Sequence, residues 1–313
     1  MIEWMYCGRK DWKAKLKKVV FCICMAALLF GTMEVALKIG GSNVDEVQLT
    51  FLRFLLGGLM LVPFAAMEWN KRKAAGRRIE KRDWLWVGLV GVVGIPISML
   101  SFQFGVMGCN ASTASSIICL NALFTMVIAR IFLKEEMTKA KWLAFAIGLI
   151  AAVFMIRPWD IQAGNTPGGL FFMMTAAVTF AAYTVMGKVT IEKVGLFTQT
   201  SISFLVGSFV LWLIILFRGG PVIEGIAENW KVILYTGIFV TGLGYMFYFM
   251  AIEYSDAITG SITFFVKPII APILALIFLH EKILCNTVLA VILLMTASFI
   301  NLRTSKKRIK EES

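Results

Sequence analysis

Ten times along this chain the sequence turns apolar for about twenty residues, near 19–39, 47–67, 84–105, 110–132, 141–157, 168–188, 197–217, 231–252, 257–279 and 284–302. About 20 residues at 1.5 Å per residue cross the roughly 30 Å hydrocarbon core of a bilayer, where a helix satisfies its own backbone. The chain has 313 residues, 59% of them apolar, with a mean hydropathy of +0.80. No aqueous fold of that size hides so much apolar surface, so the sequence predicts an all-α integral membrane protein. The first run follows a basic segment, but it is longer than a signal-peptide core and no small-x-small cleavage site follows it. It reads as a retained first helix.

A net charge of +12 could point to nucleic acid, but the distribution of the basic residues points to topology instead. With both termini and the 68–83 loop in the cytoplasm, 24 of the 31 Lys and Arg fall on the inner side and 4 on the outer. That asymmetry is the positive-inside rule, and it predicts a multi-pass protein of the cell's inner (plasma) membrane whose basic loops meet lipid headgroups rather than nucleic acid. The remaining three, Lys38, Arg53 and Lys267, lie inside the apolar runs.

The chain also repeats itself. Residues 111–135, "ASTASSIICLNALFTMVIARIFLKE", align without a gap on 257–281, "AITGSITFFVKPIIAPILALIFLHE", with 8 of 25 positions identical. Trp84 and Gly91 match Trp230 and Gly237, Phe54 and Gly57 match Phe204 and Gly207, and "AALLF" with Lys38 matches "AAVTF" with Lys188. Each half holds five spans, and an odd number forces the halves into opposite orientations. The expected fold is therefore ten transmembrane helices as two inverted five-helix repeats, 19–157 and 168–302, between basic cytoplasmic segments 1–18 and 303–313. Inverted repeats of this kind build secondary transporters, whose halves rock about a site near the midplane.

At "LLFGTMEVALKIG" in the first span, "LRFLLGGLML" (52–61) in the second, and the paired "FLKEE" (132–136) and "FLHEK" (278–282), the chain resembles the drug/metabolite transporter superfamily, in its EamA-type branch of ten-helix permeases. The resemblance covers essentially the whole chain. It implies a central cavity surrounded by spans 1, 3, 4, 6, 8 and 9, with spans 5 and 10 at an edge where homodimers often meet. It also implies carriage of small organic metabolites, commonly outward. Position 34, usually neutral in that family's first-span motif, is Glu here.

An ionisable residue at mid-bilayer costs about 2.5–3.5 kcal/mol on insertion scales, so each one needs a partner or a polar cavity. Glu34 and Arg53 fall at one depth on neighbouring spans, which allows a structural clamp; the other reading is contact of Glu34 with substrate or a coupling proton. Lys38, one turn above Glu34, can snorkel or add an i,i+4 pair. Lys267 sits mid-span, too deep for its stem to reach an interface easily, and Pro268 and Pro272 after it predict a bent or opened helix. A cation there suits capture of a carboxylate or phosphate; the alternative is a structural lysine paired with a backbone carbonyl or with Glu34. The repeat sets Asn121 opposite it, and Glu34 is expected about 8–10 Å away along the normal. Tyr245 and Tyr248 beside Gly242 and Gly244, Gln103, Tyr183 and the hinge residue Pro96 complete the candidates. His280-Glu281 and Lys134-Glu135 read as matching helix ends.

Other chemistries lack their residues. There is no nucleotide-binding Gly-x4-Gly-Lys-[Ser/Thr] loop, no His-Glu-x-x-His, no metal set or cofactor motif, and no nucleophile–base pair. The chain reads as a carrier rather than an intramembrane enzyme or channel. Its expected cargo is a small carboxylate-bearing or zwitterionic, amino-acid-like metabolite. The alternative is export of organic cations or drugs drawn by Glu34.

Overall fold

A computed structural model describes residues 11–40, 44–76, 79–156, 164–220, 225–280 and 285–311, and these contain helix and no strand. Among the described residues, seven helical stretches are long and apolar enough to cross a bilayer: Lys15–Ile39, Glu46–Ala74, Lys81–Met107, Ala111–Phe132, Pro167–Val194, Leu196–Phe217 and Ile226–Tyr254. The expected fifth, ninth and tenth spans coincide with three further helices: α8 (Lys139–Ile156), α14 (Thr263–Leu279) and α15 (Cys285–Glu311).

Polar residues placed at the chain's turns start the helices. Asp45 accepts from the backbone of Val47 and Gln48, both at 3.0 Å, and opens α3 (Glu46–Ala74). Thr166 accepts from Gly169 N at 3.0 Å, and Pro167 fits the first turn of α9 (Pro167–Val194), where its missing N–H costs nothing.

Several spans are not straight rods. The first divides into α1 (Asp11–Gly31) and α2 (Met33–Gly40). The third joins α4 (Lys81–Val92) to α5 (Leu100–Met107) through a π-helical turn, Val93–Met99, that contains Pro96. The eighth joins α11 (Ile226–Leu234) to α12 (Gly244–Tyr254) through a second such turn, Tyr235–Leu243. The fourth breaks at Cys119–Leu120, between α6 (Ala111–Ile118) and α7 (Asn121–Phe132). The ninth breaks at Ser261–Ile262, between α13 (Ala257–Gly260) and α14. The opening expected at Lys267-Pro268 is thus not where that span divides: α14 runs unbroken through Pro268 and Pro272. The mid-span break belongs to the fourth span, immediately before Asn121.

Packing is reciprocal between the halves. α3 lies against α10 (Leu196–Phe217), α8 against α15, α1 against α12, and α5 against α9. Glycines set the closest crossings. A Cβ on Gly91 would stand 2.5 Å from Ser203 O, and one on Gly57 would stand 2.9 Å from Thr241 Cγ2. The second element of each half therefore presses on the third element of the other. Apolar side chains left exposed on α8 and α15, such as Ile150, Val153, Ile292 and Phe299, face outward as lipid-solvated surface does.

Lys134 and His280, equivalent in the repeat, are the two described non-glycine residues with positive φ, both at 55°. Each follows the end of its helix, so the shared Lys/His-Glu pattern marks a left-handed helix stop. Glu281 itself lies outside the described residues.

Candidate functional site

Where these bundles meet, a small cavity of about 10 Å³ is lined by Phe30, Met33, Met99, Phe102, Ile118, Phe180, Tyr245, Phe264 and Lys267. These come from the first, third, fourth, sixth, eighth and ninth spans, the set that the resemblance implies. A volume of that order holds a single water. The wall is mostly aromatic: Phe30 stacks on Phe264 at 5.7 Å between ring centroids and meets Tyr245 edge-on at 5.0 Å, and Phe180 meets Phe264 at 5.1 Å.

Into this wall Lys267 brings its ammonium, 1% exposed, and forms an ion pair with Oε1 of the fully buried Glu34. The same Nζ lies 5.4 Å from the Phe102 ring centroid, a cation–π distance. The pair is the structural alternative left open for Lys267, and it corrects two other expectations. Glu34 is paired with Lys267, not Arg53, and the two charges touch rather than lying 8–10 Å apart. That separation assumed straight helices. In the structure the first span is broken after Gly31, and a Cβ on Gly31 would stand 2.7 Å from Ile270 Cβ. The missing side chain lets the first span close on α14 three residues from each charge, and the break turns Glu34 inward. Lys38, half-buried near the end of α2, is not an ion-pair partner of Glu34.

Tyr245, Tyr248, Tyr183, Gln103, Asn121 and Arg53 are all buried, but only some are joined. Tyr245 lines the cavity and donates to Met99 Sδ at 3.0 Å, and Tyr248 shares a 2.7 Å hydrogen bond with Thr184 Oγ1. Tyr183 lies edge-on to Tyr245, with ring centroids 6.3 Å apart, and packs over Gly94, beside Pro96 in the π turn. The amides of Gln103 and Asn121 are fully buried and lack hydrogen-bond partners among the described residues. Asn121 therefore stands opposite α14 without a bond to Lys267. The guanidinium of Arg53 is likewise unpartnered, with its Cζ 5.0 Å from the Phe54 ring centroid. Among the described residues no cluster of three His, Cys, Asp or Glu could hold a metal ion.

The phenylalanines of the wall, unlike Tyr245, are not among the expected residues. Phe30 and Phe180 were visible as equivalent ends of "AALLF" and "AAVTF", and that equivalence at the inner face of two repeats was the available signal. Phe102 and Phe264 carried none beyond their apolar runs.

The arrangement can hold one cationic and one anionic group side by side, away from water and against aromatic faces. Comparison with known proteins agrees with a transport role. The EamA-like transporter family matches residues 17–157 and again 167–303, giving a two-repeat architecture. An uncharacterised transporter of Clostridium kluyveri is 32% identical over 93% of this chain and 95% of its own length. An S-adenosylmethionine uptake transporter of Rickettsia bellii is 22% identical over 56% of this chain and 57% of its own. A solved crystal structure, 16% identical, shares the fold with a TM-score of 0.70 over 93% of this chain and 98% of that one. Two family matches that together cover nearly the whole chain place it: this protein belongs to the EamA-like transporter family, within the drug/metabolite transporter superfamily, and is a membrane transporter rather than an enzyme.

Proposed function

We propose that the chain is a ten-span secondary carrier that exports a small amino-acid-like metabolite, carboxylate-bearing or zwitterionic, by alternating access between two inverted five-helix halves. The observation that carries this is the buried Glu34–Lys267 ion pair, whose lysine lines the aromatic cavity. A zwitterion can replace such a pair term by term: its carboxylate takes Lys267 and its ammonium takes Glu34, so neither buried charge is stranded. Tyr245 and the phenylalanines receive the organic body, and Tyr248, Tyr183, Gln103 and Asn121 surround it. Because Glu34 and Lys267 belong to different halves, separating them links cargo binding to movement of one half against the other. The cavity of about 10 Å³ requires that movement before any metabolite fits. The 24-to-4 distribution of basic residues supports cytoplasmic termini in the cell's inner membrane.

A second cargo class has one observation in its favour, the relative named for S-adenosylmethionine uptake. That cargo class carries a cationic centre beside its amino-acid group, and Glu34 would be the attractive charge. Counterflow in proteoliposomes, with a panel of free amino acids, small carboxylates and organic cations, tests both classes in either direction. Lys267→Met should remove uptake of carboxylate-bearing solutes, whereas Glu34→Gln should remove uptake of amines and cations. Wild-type carboxylate counterflow by Lys267→Met would exclude the proposed site.

A further inference from the structure

Glu34 and Lys267 cancel each other, whereas Arg53, another charge buried within the spans, has no ion-pair partner among the described residues. Arg53, on α3, is 0% exposed, and its Nε, Nη1 and Nη2 all lack a hydrogen-bond partner among the described residues. Its charge is felt by Tyr245 and by Glu34, whose Oε1 is already held by Lys267. Its Cζ lies 5.0 Å from the Phe54 ring centroid, and a ring quadrupole replaces only part of the hydration that a guanidinium loses on burial. The three charges sum to +1. Guanidinium is a planar fork of five donors, suited to two carboxylate or phosphate oxygens, and every donor-bearing nitrogen here is unused.

We propose that Arg53 is a second anion site of the carrier, taking a carboxylate of the cargo beyond the one that Lys267 takes, so that the carrier prefers a net-anionic solute of the acidic-amino-acid or dicarboxylate class. This rests on Glu34 and Lys267 forming the cargo site. Arg53 is not in the lining of the cavity, but Tyr245 is, and the Tyr245 ring packs 5.8 Å from Phe54. Displacement of that ring, as the cavity enlarges for cargo, joins the two. The unpartnered amide of Gln103 on α5, an element packed against α3, supplies further neutral hydrogen-bonding capacity on that side.

The test compares L-glutamate with L-glutamine, and succinate with acetate, as stabilisers of the purified full-length protein at constant ionic strength. Wild type should bind L-glutamate at least about tenfold more tightly than L-glutamine, a difference of roughly 1.4 kcal/mol. Arg53→Met should reverse that preference, and Arg53→Lys should keep it in weakened form, with charge but no fork. Lys267→Met should lose the response to both amino acids. Equal binding of the acidic and neutral members of each pair by wild type overturns the Arg53 proposal and leaves the Glu34–Lys267 site standing. An absence of response to all four solutes overturns both. Unaltered preference in Arg53→Met, or failure of both Arg53 variants to fold, makes Arg53 structural and overturns the proposal.

Discussion

At the scale of single residues the protein holds a carboxylate and an ammonium together where neither reaches solvent. Removing one partner of such a pair strands the other, at a cost of about 3–5 kcal/mol, whereas removing both leaves nothing unpaired. Glu34→Gln and Lys267→Met should therefore each lower the melting temperature in detergent, while the double variant recovers most of the loss and still fails to transport. Additive losses in the double variant would mean that the two side chains do not act as a pair. Gly31 belongs to the same unit, because a Cβ there would stand 2.7 Å from Ile270 Cβ. The depth of Lys267 was legible in the sequence, since counting residues from the ends of an apolar run measures depth. Its pairing with Glu34 was open as one alternative but not decided: which residue faces which across two helices depends on rotation and on the break after Gly31, and span counting contains neither. Arg53 was legible as a buried cation and misassigned for the same reason.

At the scale of elements, the two halves use matching devices at different places. The third and eighth spans both carry a π turn, around Pro96 in one and between Gly237 and Gly242 in the other. The repeat made those spans comparable, and Pro96 marked one turn. The other has no proline, so it left no local signal. Pro268 and Pro272 do not open the ninth span: they lie within the unbroken α14, and the break is upstream. Close crossings give a direct prediction. Gly91→Ala would drive a Cβ against backbone oxygen of Ser203, which has no rotamer to escape with, so it should destabilise by about 1–3 kcal/mol in chemical or thermal unfolding. Gly88→Ala on the same helix, where the added Cβ meets nothing within 4 Å, is the control. The end of the fourth span offers a pH test. Glu135 Oε1 accepts from Ala257 N at 3.2 Å, bridging the fourth span to α13, and Asp256 caps the same helix through Thr259 N at 2.7 Å. Burial, and next the charge of Asp256, push the Glu135 carboxyl from 4.5 up to about 7, with Lys141 nearby acting in the opposite direction. A carboxyl raised in the folded state binds its proton more tightly than the unfolded chain does. Its contribution to stability is complete below about 4.5 and is lost as pH rises through about 7. Glu135→Gln should flatten that part of the stability–pH curve; an unchanged slope would place the titration elsewhere.

At the scale of the whole molecule, charge asymmetry, repeat and family converge on a two-part membrane transporter. The proposed orientation is open to labelling with an impermeant thiol reagent on a cysteine-free background. Asn165 is a poor probe position because its Oδ1 accepts from Asn110 N at 2.8 Å, whereas Gly168 is exposed with open space about it. Intact cells should react at Gly168→Cys and not at Lys73→Cys, and the reverse pattern would invert the topology. Cargo recognition requires that the Glu34–Lys267 pair be a binding site as well as a contact between halves. Counterflow of free amino acids and small carboxylates by the Glu34→Gln/Lys267→Met double variant, reconstituted beside wild type, tests this most directly, because that variant is expected to stay folded. The expected result is a stable protein that moves none of the solutes wild type moves; wild-type counterflow by the double variant would remove the pair from the cargo site.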